Sequence, residues 1–142
     1  INTELVEKVK IGTPHIAGYS FEGKVNGTWM IYDSLCQYYK IKPAWQPELP
    51  KIEQIDLRIS EGGTDEEKLY KLFATIYNIQ NDNTKLREIS KYSSNDQAGY
   101  FDKLRKDYPI RREFSNYTVH LSHTYSHLKP FLECFRFKVK TN

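Results

Sequence analysis

Histidine 15 sits in the string Thr13-Pro14-His15-Ile16-Ala17-Gly18, the part of the sequence best suited to chemistry. Pro14 pushes Thr13 toward an extended backbone and stops any helix there. A histidine placed after it, among small residues, is fixed on a turn. Its unperturbed pKa of about 6.5 suits proton transfer near neutral pH. Gly18 lets backbone approach a ligand closely. Taken alone, a Pro-His pair is better read as a structural histidine.

Other candidates carry less. His120, His123 and His127, with Cys134 beyond, have a count like that of a zinc set, but no second cysteine is close and loop histidines explain them. No metal site is expected. Arg105, Lys106, Arg111 and Arg112 form a basic patch, read as a solvated face paired with Asp102, Asp107 and Glu113. Cys36 and Cys134 read as small buried hydrophobes in a reducing cytoplasmic setting.

The elements that must position these groups follow from pattern. A short helix is expected over residues 2–9, with Asn2 or Thr3 as cap. A long amphipathic helix is expected from Glu22 to Tyr39, where Val25, Trp29, Tyr32, Leu35 and Cys36 recur at threes and fours. Gly27 within it would permit a close approach. Pro43, Pro47 and Pro50 then make a stiff connector. Ile55, Leu57 and Ile59 alternate as a strand, and Thr64-Asp65-Glu66-Glu67 is a capping box opening a helix that ends at Asn81-Asp82-Asn83. Helices over 84–91 and from Asn95 or Asp96 to Tyr108 follow. A strand through Tyr117, Val119 and Leu121, a short helix from Pro130, and a strand through Phe135, Phe137 and Val139 complete the order.

This order predicts an α+β fold, a small antiparallel sheet with helices on one face. The proline-rich stretch divides the chain into residues 1–42, a linker at 43–50 and a second domain at 51–142.

Composition sets limits. The chain has 142 residues, 39% hydrophobic and 27% charged, with 11 tyrosines and a net charge of +3. Mean hydropathy is −0.69 and no apolar run approaches the roughly 20 residues of a membrane span. The basic excess is too small and too scattered to predict RNA or DNA binding. The sequence opens at Ile1 with a motif close behind, which reads as a fragment of a longer protein.

The string Thr13 to Lys24, TPHIAGYSFEGK, resembles the catalytic-histidine segment of the D-isomer-specific 2-hydroxyacid dehydrogenases. Its continuation from Tyr19 to Lys24 looks like the erythronate-4-phosphate dehydrogenase branch of vitamin B6 biosynthesis. Phe101 to Tyr108 and Arg111-Arg112-Glu113-Phe114 resemble the FDxLRKxY and RRE signature of that branch's C-terminal dimerisation domain. The resemblance implies NAD-dependent oxidation of 4-phospho-D-erythronate to (R)-3-hydroxy-2-oxo-4-phosphobutanoate. It implies His15 as acid/base, Gly18 against the cofactor, Tyr19 on the substrate, a homodimer, residues 1–42 as the tail of a Rossmann-type α/β nucleotide-binding region, and, as the sharper alternative for the basic patch, one of its arginines on the substrate phosphate in the other subunit. No G-x-G-x-x-G run is present to receive a pyrophosphate. These residues alone are therefore expected to be inactive. The rival reading is a free-standing dimerisation or regulatory domain.

Overall fold

The computed structural model describes residues 2–50 and 55–142. In chain order the elements are α1 (Thr3–Lys8), α2 (Phe21–Tyr39), β1 (Ile55–Arg58), α3 (Asp65–Ile76), α4 (Ile79–Arg87), α5 (Gln97–Lys106), β2 (Tyr117–Leu121), α6 (Lys129–Cys134) and β3 (Lys138–Thr141). Contacts divide the chain into two compact units, one from residues 1–17 and 73–109, the other from 18–72 and 110–142.

In the first unit, α1 is capped by Asn2, whose side chain accepts from the Leu5 amide. Its open C-terminal carbonyls are met by the Arg87 guanidinium, which donates to Val6 O at 2.9 Å and Val9 O at 2.6 Å. Asn81-Asp82-Asn83 does not end a helix. The break comes earlier, at Asn78, which caps α4 by accepting from the Gln80 amide, and the trio lies inside α4. Their side chains are used there: Asn83 Oδ1 accepts from Gly12 N and from Arg87 Nε, and Asp82 accepts from the Tyr77 and Tyr108 hydroxyls. Leu86 and Ile89 are buried as the core.

In the second unit the sheet has the order β1-β2-β3, and both pairings are parallel. The expected antiparallel sheet is thus corrected. Parallel neighbours need long crossovers, and here β1 and β2 are separated by α3, α4 and α5 while β2 and β3 are separated by α6. Val119 sits opposite Leu57 on one side and Val139 on the other. Thr118 and Val119 point to opposite faces and both are fully buried, so the central strand is enclosed on both sides at this level. Leu121, Leu128, Leu132 and Phe137 complete this core.

The third strand starts at Lys138 rather than Phe135. Phe135 is the C-cap of α6, and Arg136 takes a left-handed φ of 67°, so the aromatic alternation there marks a helix end. The Thr64 box forms as expected: Glu67 N donates to Thr64 Oγ1 and Thr64 N to Glu67 Oε2. In α2, Trp29 and Tyr32 gather with Trp45 of the proline-rich segment, ring centroids 5.7–5.8 Å apart. The Tyr32 hydroxyl accepts from the Ala44 and Trp45 amides. Met30, Ile31 and Leu35 stay exposed. A Cβ added at Gly27 would meet nothing within 4 Å, so no close approach is made there.

Candidate functional site

His15 is built by its neighbours. Pro14 and Ile16 are buried on either side of it, while the His15 side chain is exposed. The Gly12 amide is held by Asn83 and the His15 amide donates back to Thr13 O at 2.8 Å. The result is a tight turn with His15 at φ 59°, a left-handed conformation uncommon for a residue with a side chain. An imidazole fixed at its backbone and open at its ring is suited to exchanging a proton with a bound molecule.

Gly18 and Tyr19 belong to the second unit, His15 to the first. Gly18 has φ +71°, and a Cβ there would meet nothing within 4 Å, so its backbone is open to a ligand. Gly23 is the opposite case: a Cβ would lie 2.6 Å from Gly18 O and 2.7 Å from Ser20 Oγ, so only glycine closes this turn. Tyr19 is half-buried with the Lys24 ammonium 3.9 Å above its ring. The hydroxyl of Tyr19 and the ammonium of Lys24 are both chemistry a phosphate or carboxylate would recognise. Lys24 was not picked out individually from the sequence.

The sequence reading also missed what anchors this segment. Ser20 caps α2, its Oγ accepting from Gly23 N at 2.9 Å and donating to Glu113 Oε1. Phe21 N donates to Arg111 O at 2.7 Å. Glu22, only 5% exposed, receives Arg112 Nε at 2.5 Å, Glu113 N at 3.0 Å and Asn116 Nδ2 at 2.9 Å. Arg112 also donates to Pro50 O at 3.2 Å. Two motifs some 90 residues apart are thus one hydrogen-bonded unit. Burial works to raise the Glu22 pKa, but the hydrogen bonds from its own amide, Arg112, Glu113 and Asn116 outweigh it and hold it below the ordinary value. Arg112 is therefore not on a solvated face paired with Glu113, as its charge pattern suggested. Its guanidinium is committed within the fold to Glu22.

The histidine cluster disperses. His120 pairs with Asp56 at 2.9 Å and His127 with Asp65 at 2.7 Å. The His120 hydrogen bond lowers the Asp56 pKa. Among the described residues no three His, Cys, Asp or Glu side chains gather where they could hold a metal, and no helix is long and apolar enough to cross a membrane. Both cysteines are free thiols, Cys36 buried as expected but Cys134 exposed, because it ends α6 at the surface.

Comparison with known proteins places these observations. Residues 48–131, more than half of the chain, match the family described as a domain of unknown function, DUF3410. The chain belongs to this family. The DUF3410 match holds the second motif, from Phe101 to Phe114, and leaves His15 outside it. The relatives extend over both motifs. Along 99% of its length the chain is 35% identical to a protein of Marinobacter nauticus named erythronate-4-phosphate dehydrogenase, of which it covers 37%. It is 44% identical, over 86% of its length, to a protein of that name from Cellvibrio japonicus, covering 34% of it. With the one from Yersinia enterocolitica it shares 39% identity over 84% of its length, covering 31% of that protein. The chain spans about a third of the length of these curated relatives. The resemblance read from the two motifs is thereby supported.

Proposed function

We propose that this chain is the C-terminal part of an NAD-dependent erythronate-4-phosphate dehydrogenase. In this reading the whole protein oxidises 4-phospho-D-erythronate at C2 to (R)-3-hydroxy-2-oxo-4-phosphobutanoate, on the route to pyridoxal 5'-phosphate. The observation that carries it is the similarity to proteins of that name along 99% of the chain, across the His15 turn as well as the second motif. The exposed ring on a locked backbone supports His15 as the group that takes the C2 hydroxyl proton. Tyr19, with Lys24 over its ring, is read as a contact to the substrate's anionic groups, and the open backbone at Gly18 as a contact to the cofactor.

The fit to NAD is partial. Gly18 admits close approach, but no glycine-rich run in this sequence receives the pyrophosphate. When bound, NAD supplies the hydride acceptor; the residues of this chain supply position and the proton site. Residues 1–42 are assigned to the catalytic tail, 43–50 to a linker, and 51–142 to dimerisation within a cytoplasmic homodimer. The family match beginning at residue 48 supports that boundary. By themselves the 142 residues are expected to be inactive.

The test is cofactor reduction by the full-length enzyme with 4-phospho-D-erythronate. His15→Asn, which tolerates a left-handed turn, should lower kcat by about 10²–10⁴-fold with the thermal midpoint unchanged. Full turnover by that variant overturns the assignment. A second reading, a free-standing dimerisation domain, draws on the family match stopping short of His15. It requires a full-length protein without dehydrogenase activity.

A further inference from the structure

The first unit holds a cavity of about 260 Å³ whose walls come from the turn before His15, from α4 with the turn after it, and from α5 and the residues after it. Pro14, Leu104 and Pro109 give it apolar walls. Tyr92 and Tyr100, also in its lining, stack with ring centroids 4.2 Å apart and an angle of 21° between their planes. Five charged residues face it: Asp82, Lys85, Glu88, Lys103 and Asp107.

Which of these charges are already used decides what the cavity can take. The Asp82 carboxylate accepts two tyrosine hydroxyls, from Tyr77 at 2.8 Å and Tyr108 at 2.9 Å. The Glu88 carboxylate holds Lys91 at 3.2 Å and also lies 3.2 Å from the Tyr100 hydroxyl. Tyr100 donates to Lys85 O at 2.7 Å, and burial, with Glu88 beside it, pushes its pKa up to about 12, so it stays neutral. Lys85 feels Glu88 only at a distance, and neither Lys85 nor Lys103 has an ion pair or side-chain hydrogen bond among the described residues. Asp107, at the C-cap of α5, is the one carboxylate of the lining without such a bond among them. Lys85 and Lys103 are therefore the lining's two uncommitted cations, Glu88 is offset by Lys91, Asp82 keeps its charge with one oxygen taken by the two hydroxyls, and the stacked Tyr92 and Tyr100 rings belong to the same lining.

We propose that this cavity binds a small planar aromatic ring carrying a phosphate or carboxylate, with the ring against the Tyr92–Tyr100 stack and the anion held by Lys85 and Lys103. The size admits one ring and its substituents, and an apolar lining with a few convergent polar groups is the usual composition of a small-molecule site. Aromatic contact and charge-assisted hydrogen bonds would each contribute. Pro14 forms one wall, so an occupant touches the residue that fixes the His15 turn. The proposal does not rest on the dehydrogenase reading.

The test is binding to this chain, followed by NMR with phenyl phosphate, benzoate, inorganic phosphate and benzyl alcohol as probes. Phenyl phosphate or benzoate should saturate and shift the signals of Tyr92, Tyr100 and His15. Inorganic phosphate, which lacks the ring, and benzyl alcohol, which lacks the anion, should each bind about tenfold more weakly. Whichever of phenyl phosphate and benzoate binds tighter names the anionic group. Lys85→Gln with Lys103→Gln, both exposed positions, should weaken the anionic probes about tenfold and leave benzyl alcohol unchanged. Tyr92→Ala should weaken all the ring-bearing probes. Equal binding of phenyl phosphate and inorganic phosphate, which is an adventitious ion only, overturns the proposal. So does binding untouched by the lysine pair, or no saturation by either aromatic anion. Activity is not read, so failure here and failure of the dehydrogenase assignment are separate results.

Discussion

The turn at His15 and the cap at Ser20 to Glu22 lie within one sequence motif, yet they are built in opposite ways. At Ser20 and Glu22 every polar group is buried and spoken for, by Gly23, Glu113, Arg112 and Asn116. At His15 the backbone is constrained, its neighbours are buried, and the ring is exposed. The difference teaches where to look for reactivity. A fully satisfied polar cluster is a fastening, whereas a group that must exchange protons with a ligand has to be held by its backbone and left open at its tip. The most strongly bonded charges in this protein are therefore not its best catalytic candidates.

Breaking the fastening should have the largest effect. Arg112→Ala leaves the Glu22 carboxylate buried without its cation and should cost roughly 3–5 kcal/mol, read as a lower urea midpoint. Core truncation gives the scale: Leu132→Ala, at a fully buried position, should cost roughly 2–5 kcal/mol. Ser20→Ala removes the α2 cap and should cost about 1 kcal/mol.

Acid sharpens the same contrast. The folded-state pKa of Glu22 lies below its ordinary 4.5. Its contribution is thus complete above that value and is lost as pH falls through the folded-state pKa. Stability measured against pH should decline along this acid limb, and Glu22→Gln should flatten it. The smallest expected effect is at His15. His15→Asn should change stability by no more than about 0.5 kcal/mol, since the ring is exposed and Asn accepts the left-handed turn. A large loss there would make His15 a structural residue and erase the contrast.

What was legible in the sequence was local. The Thr64–Glu67 box and the Asn2 cap lie three residues from their partners, so spacing alone announced them. The periodicity of α2 located it to within a residue. What was misread depended on distant partners. Asn81 to Asn83 looked like a helix stop because nothing nearby says that Asp82 receives Tyr108 or that Asn83 receives Gly12. The direction of the sheet was misread because long connections between the strands permit parallel and antiparallel pairing alike, and only the ladder itself decides. The motif resemblance led to His15, Gly18 and Tyr19, but it does not separate the residues that fasten the segment from the side chain that is left open. Ser20, Glu22 and Arg112 show their partnership only once the start of α2 and the loop after α5 come together.

The first unit draws its two pieces from opposite sides of a 55-residue interval, residues 18–72. During synthesis, the stretch carrying His15 emerges long before α4, which supplies Arg87 and Asn83 to hold it. At about 10 residues per second this is a wait of several seconds, during which α1, at six residues, is too short to persist in water by itself. The hydrogen bonds from Arg87 to α1 and from Gly12 to Asn83 can therefore form only after α4 is made, and any pause in translating α4 delays that clasp.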